Sequence, residues 1–188
     1  AVYVPSVSPP FAIDVHHRNW DRPHPSGIKD EDLNFLDPNN RLFRISHALS
    51  SAGQALHQTR DCIITTRDRQ ATRLIGDSGG YQTATQNRLF NTDSERQQVL
   101  QWLEAQADYA MTLDAPTAPV LSKPDYAYRS TRECLDATLI HLRYFADHRS
   151  YSGLKLLNVL HGNDQVEADV WYDAVKGFPF EGFAFASQ

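Results

Sequence analysis

Residues 74–82 read Leu-Ile-Gly-Asp-Ser-Gly-Gly-Tyr-Gln: a short apolar run stops at a carboxylate, and two glycines follow. The same punctuation recurs along the chain. Tyr109 to Leu113 ends in Asp114, Leu156 to Leu160 ends in His161, and Phe183 to Ala186 ends in Ser187. With Cys62 to Thr65, these runs barely alternate between apolar and polar residues, which predicts that several are strands buried on both faces. Longer amphipathic segments separate them. Short strands alternating with helices are the pattern of βα units and a parallel sheet.

Three helices are legible. Ser94 with Gln97 predicts a capping box ahead of Val99, Leu100, Trp102 and Leu103. Leu135, Leu139, Leu142 and Phe145 recur at helical spacing, and Val166, Val170, Trp171, Ala174 and Val175 form a third apolar face that Gly177 ends. Each stripe reads as core packing. Before residue 41 the texture differs, with six of the ten prolines and the turn Asp37-Pro38-Asn39-Asn40. Val2 to Val4 predicts a strand stopped by Pro5, and 12–40 an irregular surface excursion.

The chain has 188 residues, 18 basic and 23 acidic, for a net charge of −5, and 41% of it is apolar. That suits one globular domain and excludes a disordered chain. No apolar run approaches the ~18 residues of a membrane helix, and residues 1–10 lack the basic start of a signal peptide, so cytoplasm is the default. Two cysteines are too few for a disulfide framework or a four-cysteine zinc site and read as buried thiols. Mild acidity disfavours holding nucleic acid on a broad basic surface, though it permits an enzyme acting on one. Arg60, Arg67, Arg69 and Arg73 are interleaved with Asp61 and Asp68, which reads as a solvated mixed-charge face.

In a parallel sheet the strands' carboxyl ends share one side, where barrels and open sheets alike keep their sites. Asp77, Asp114, His161 and Ser187 are therefore expected around one cavity. An Asp or Ser after a strand is often only a helix cap, and a lone His is more often a satisfied polar residue than a catalyst. Asp77 and Asp114 differ in that Gly or Pro chemistry follows each. Gly79 and Gly80 permit close backbone approach to a ligand, while Tyr81 and Gln82 add a flat ring and a two-way amide. The segment predicts a pocket for something flat and polar. It is neither a P-loop nor a dinucleotide fingerprint.

Asp77 to Gln82, DSGGYQ, resembles the Asp-Ser-Gly-Gly-Phe-Gln of the tRNA-guanine transglycosylase family, with Tyr81 for Phe. Weaker likenesses follow in the family's order. Val2 to Pro5 is similar to its first strand, Leu113 to Thr117 to Phe-Asp-Glu-Cys-Thr, Leu160 to Asn163 to Val-Gln-Gly-Gly, and Gly182 to Ser187 to Gly-Tyr-Ala-Ile-Gly-Gly. The resemblance implies an α/β fold of the (β/α)8 TIM-type barrel class, with 1–188 as one domain holding the barrel's N-terminal part. It also implies a pentosyltransferase that replaces guanine by a 7-deazaguanine-type base, of the queuosine kind, in tRNA or DNA.

By that likeness Asp77 is the general acid/base and Asp114 a recognition carboxylate. Ser78, Gly79, Gly80, Gln82, Gly162 and Ser187 line the pocket, Tyr81 stacks on the base, and His161 stands where the family has a base-reading Gln. The family's nucleophilic Asp and its zinc, held by three Cys and one His, lie beyond the matching segment, so no metal site is expected here. The implied partners are the free base, tRNA or DNA, and a second subunit in a homo- or heterodimer, with no membrane. Two other readings compete. One is a non-catalytic barrel fragment that binds a purine-like base or pairs with a catalytic subunit. The other is a glycosidase using Asp77 and Asp114 as acid and base.

Overall fold

The computed structural model of the chain describes residues 2–19, 23–150 and 153–185. Five strands, β1 (His47–Ser51), β2 (Arg73–Asp77), β3 (Tyr109–Met111), β4 (Lys155–Leu160) and β5 (Gly182–Phe185), form one sheet. All are parallel, and neighbours in the sheet are neighbours in the chain. The helices are α1 (Pro9–His17), α2 (Ala52–Ala55), α3 (Gly80–Gln86), α4 (Asp93–Gln106), α5 (Ala118–Ser122), α6 (Thr131–His148) and α7 (Gln165–Val175). The fold is α/β with a parallel sheet, as the alternation of runs and stripes predicts.

Chain-order pairing through crossovers of one hand sends the connecting helices to the same side of the sheet. The register bears this out: Ala48 pairs with Leu74, Gly76 with Ala110, and Ala110 with Leu156, and all are buried. Ala110 and Leu156 pack with Val99, Leu100 and Leu103 of α4 and Phe145 of α6, Gly76 lies against Leu103, and Ala48 and Leu74 pack with Ala12 and Val15 of α1 and Ile63, with Trp102 of α4 against both clusters. On the opposite face Leu49, Ile75, Tyr109, Met111 and Leu157 are only half-buried. The expectation of strands buried on both faces is corrected accordingly, because the helices all cross one face.

Other expectations shift. Cys62 to Ile64 are buried, but Cys62 to Thr65 is a turn: the exposed Thr65's hydroxyl engages both the N–H and the C=O of Cys62, taking the groups a ladder would need. The pairing at the sheet's beginning falls at Ser6, after Pro5, while Val2 and Tyr3 are exposed. The excursion over 12–40 is partly helical, since Pro9 and Pro10 open α1 with their preset φ and Ala12 and Val15 are buried. The box that caps α4 is Thr92 with Glu95, two residues ahead of the expected Ser94 and Gln97. In α7, Trp171 and Val175 are buried but Val166 and Val170 are 71% and 52% exposed, so the apolar face is narrower than its periodicity suggests. In the arginine cluster Arg60, Arg69 and Arg73 are exposed together with Asp61 and Asp68, as a solvated mixed-charge face requires, and only Arg67 departs from it, buried on the carbonyls of Ile64 and Gln106.

One buried polar pair joins α4 to α6: Arg96 Nε donates to Nδ1 of His141 at 3.0 Å. Burial, then the neighbouring guanidinium, hold the His141 imidazole down at about 3, against the usual 6.5. The unfolded chain thus binds a proton that the folded chain refuses. Stability from this group is full above pH 6.5 and is lost toward pH 3, at up to ~1.4 kcal/mol per pH unit. His141→Gln, which keeps an acceptor for Arg96, should flatten the unfolding free energy between those limits. Denaturant titrations at pH 4 and pH 7 measure it.

Candidate functional site

Asp77 ends β2 on the face away from the helices, directly beside Ser51 of β1 in the register. Asp114 follows β3, and His161 follows β4. The three, with Gly80, Tyr81 and Met111, line a cavity of about 380 Å³ at the strands' carboxyl ends. Among the sequence-predicted residues, Asp77, Gly80, Tyr81, Asp114 and His161 meet there.

The carboxylate of Asp114 is almost wholly buried and accepts from His161 Nε2 at 2.7 Å. The imidazole is fixed from behind by Trp171 of α7, edge-on at 4.9 Å, and the Trp171 indole N–H donates to the Val159 carbonyl. Nδ1 of His161 has no hydrogen bond among the described residues. Gly80 explains the tight seat of Asp114: a Cβ there would fall 2.7 Å from Oδ1. The turn into α3 is made at Gly79, whose φ of +127° is one that side chains disfavour. The paired glycines serve an internal carboxylate as well as an open space.

Burial is the main influence on Asp77, raising its carboxyl above the usual range. The Ser51 hydroxyl and the N–H groups of Gly79 and Ser78 pull it down, and the charge of Asp114 adds to the rise. A carboxyl whose pKa is raised by burial is suited to acid/base work. Ser51 was not singled out from the sequence, because His47–Ser51 is too polar to read as an apolar run. Its hydroxyl lies between Asp77 and Gln82, 3.1 Å from Gln82 Oε1.

The remaining predicted residues lie elsewhere. Ser78 is fully buried and donates to the carbonyl of Thr112, tying the ends of β2 and β3 together. Gly79 backs onto Phe90, and Gln82 packs against Gly53 and Ser51. Gly162 lines an adjoining cavity of about 430 Å³ beside α7. Ser187 lies outside the described residues. Tyr81 is 63% exposed, at the cavity's mouth. Pro116 joins the lining, its carbonyl held by the Tyr126 hydroxyl. Cys62 and Cys134 are both buried, and burial pushes the Cys134 thiol up to about 12, leaving it unreactive. Among the described residues no group of three or more His, Cys, Asp or Glu is gathered to hold a metal ion, and no helix is long and apolar enough to cross a membrane.

The chain matches no protein-family model and no curated protein sequence.

A buried carboxyl of raised pKa stabilises the fold below the unfolded-state value of 3.8 and costs stability as rising pH ionises it. Asp77→Asn keeps the hydrogen-bond acceptor without the buried charge. The variant should melt above the parent at pH 7, by up to a few degrees, and the difference should vanish toward pH 3. Thermal denaturation across that range checks it.

Proposed function

We propose that this cavity is the base pocket of a transglycosylase that replaces guanine by a 7-deazaguanine-type base in tRNA or DNA. In this reading β1 to β5 are consecutive strands of a (β/α)8 barrel, whose sites gather at the strands' carboxyl ends. The observation that carries it is the meeting of Asp77 and Asp114, from neighbouring strand ends, on one cavity with His161 and an aromatic ring at its mouth. A volume near 380 Å³ lies within the range of small-ligand pockets.

Guanine and its 7-deaza analogues present N1–H and an exocyclic amine side by side. An ionised carboxylate is acceptor-only and takes such a paired donor edge. Asp114 commits one oxygen to His161 and keeps Oδ1 beside Gly80. Tyr81, exposed at the mouth, is free to stack on an entering ring, an interaction worth ~1–3 kcal/mol per base.

In the exchange, the glycosidic C–N bond breaks and the outgoing purine nitrogen takes a proton. The incoming base gives up its own proton at the corresponding nitrogen as the new bond forms. In this reading Asp77, whose pKa burial raises, serves as the acid in the first step and as the base in the second. The carboxylate that holds the sugar meanwhile lies, by the resemblance, beyond the matching segment.

Calorimetric titration of the chain with guanine, 7-deazaguanine and adenine tests the pocket. Adenine offers an acceptor at N1, which faces a carboxylate at a cost of ~1–3 kcal/mol, so guanine and 7-deazaguanine should bind ten- to a hundredfold more tightly. Asp114→Asn should erase that preference. Adenine binding as tightly as guanine would overturn the assignment.

A further inference from the structure

A second and larger cavity, of about 740 Å³, lies on the other side of the β2–α3 turn, between the first turn of α1, α2 with the loop after it, and α3. Gly53 on its wall touches Gly79 from one side while Gly80 borders the base cavity from the other. Its lining is distinctive in charge. Arg60, Arg88 and His57 line it with the amides of Gln54, Gln58 and Gln86, and none of its lining residues is Asp or Glu. In a chain with an excess of acidic residues, a cavity of this size without one selects for anions.

The donors are arranged before any ligand arrives. Arg88 Nη1 donates to the Gly53 carbonyl at 2.9 Å, and its guanidinium lies 4.8 Å above the Phe90 ring. Nε and Nη2 of Arg88 have no hydrogen-bond partner among the described residues, and neither Arg88 nor Arg60 has a carboxylate within 4.0 Å there. Glu95, whose charge interacts with Arg88, commits its carboxylate to the Thr92 cap. Independently of these cations, Gln82 is 2% exposed, forms part of the cavity wall, and carries an Nε2 without a partner.

We infer that this cavity is a phosphate site. Resting on the base-exchange reading, it takes a backbone phosphodiester of the strand whose base enters the Asp77 cavity across the turn. Guanidinium forks match phosphate oxygens in pairs, and a stacked, tethered arginine loses little freedom on binding. The link between the two cavities is Gln82, on this wall and bonded to Ser51 beside Asp77. Holding the backbone here would position the strand, while the other cavity reads the base.

The chain is titrated with inorganic phosphate, following the arginine side-chain N–H resonances by NMR, with acetate at matched ionic strength as control. Saturable shifts at Arg88 and Arg60 are expected with phosphate, and weak or none with acetate. Arg88→Gln should weaken phosphate at least tenfold. Arg60→Gln, at an exposed residue with no side-chain bond to lose, should weaken it severalfold without disturbing the fold. Asp77→Asn should leave it unchanged. Absence of saturable shifts, or phosphate binding by Arg60→Gln and Arg88→Gln equal to the parent, overturns the site. A short guanine-containing single strand supplies the second arm: Arg60→Gln should lower its affinity and reduce the salt slope by about one, leaving free guanine unaffected. A strand bound equally by parent and variant overturns the assignment to the backbone. Failure of guanine to bind overturns the base-exchange reading while the phosphate titration still stands or falls separately.

Discussion

The register between β1, β2 and β3 is the constraint on which the site rests. Within a strand, side chains alternate between faces, so a slip of one residue would send Asp77 toward α4 and Gly76 toward the cavity. The helix side cannot accept that exchange. A Cβ at Gly76 would already stand 2.5 Å from Leu103 and 3.0 Å from Ala107. Close approach of α4 to β2 thereby determines which residue of the strand faces the cavity, and the parallel pairing then sets Ser51 beside it. A packing requirement on one face becomes a chemical arrangement on the other.

The second element of the site is a pair of carboxylates in unlike surroundings. Asp114 is close to fully buried, a position that is costly for an acidic group without compensation. His161 supplies that compensation, and Trp171 and Gly80 fix the pair's geometry. Asp77 has no such partner among the described salt bridges, and burial raises its carboxyl above the usual range. Two carboxylates with different surroundings thus acquire different properties. One is held by an imidazole and the other is set beside a serine hydroxyl.

Much of this was legible in sequence where the polar residue follows an apolar run. Asp77, Asp114 and His161 share that signature, and they converge. Ser51 escaped because its strand, His-Ala-Leu-Ser-Ser, is short and half polar, and only pairing with β2 reveals it as a strand. Cys62 to Thr65 misled in the opposite sense: burial produced the apolar run, but a threonine hydroxyl claimed the backbone. Ser78 and Gln82 belong to a distinctive hexapeptide, yet one ties two strand ends together and the other joins the wall of the second cavity. A motif identifies a segment, whereas the direction of each side chain depends on the turn it makes.

The tight seat of Asp114 also bears on how such a site changes over generations. Gly80, Asp114 and His161 occupy one another's space and satisfy one another's bonds, so a substitution at any of them alters what the other two can tolerate. A larger residue at position 80 displaces the carboxylate, and loss of the imidazole leaves the carboxylate's burial uncompensated. Single steps away from this trio pass through a damaged intermediate, while concerted changes do not. A chain with a different residue at 161 would be expected to carry altered neighbours at 80 and 114.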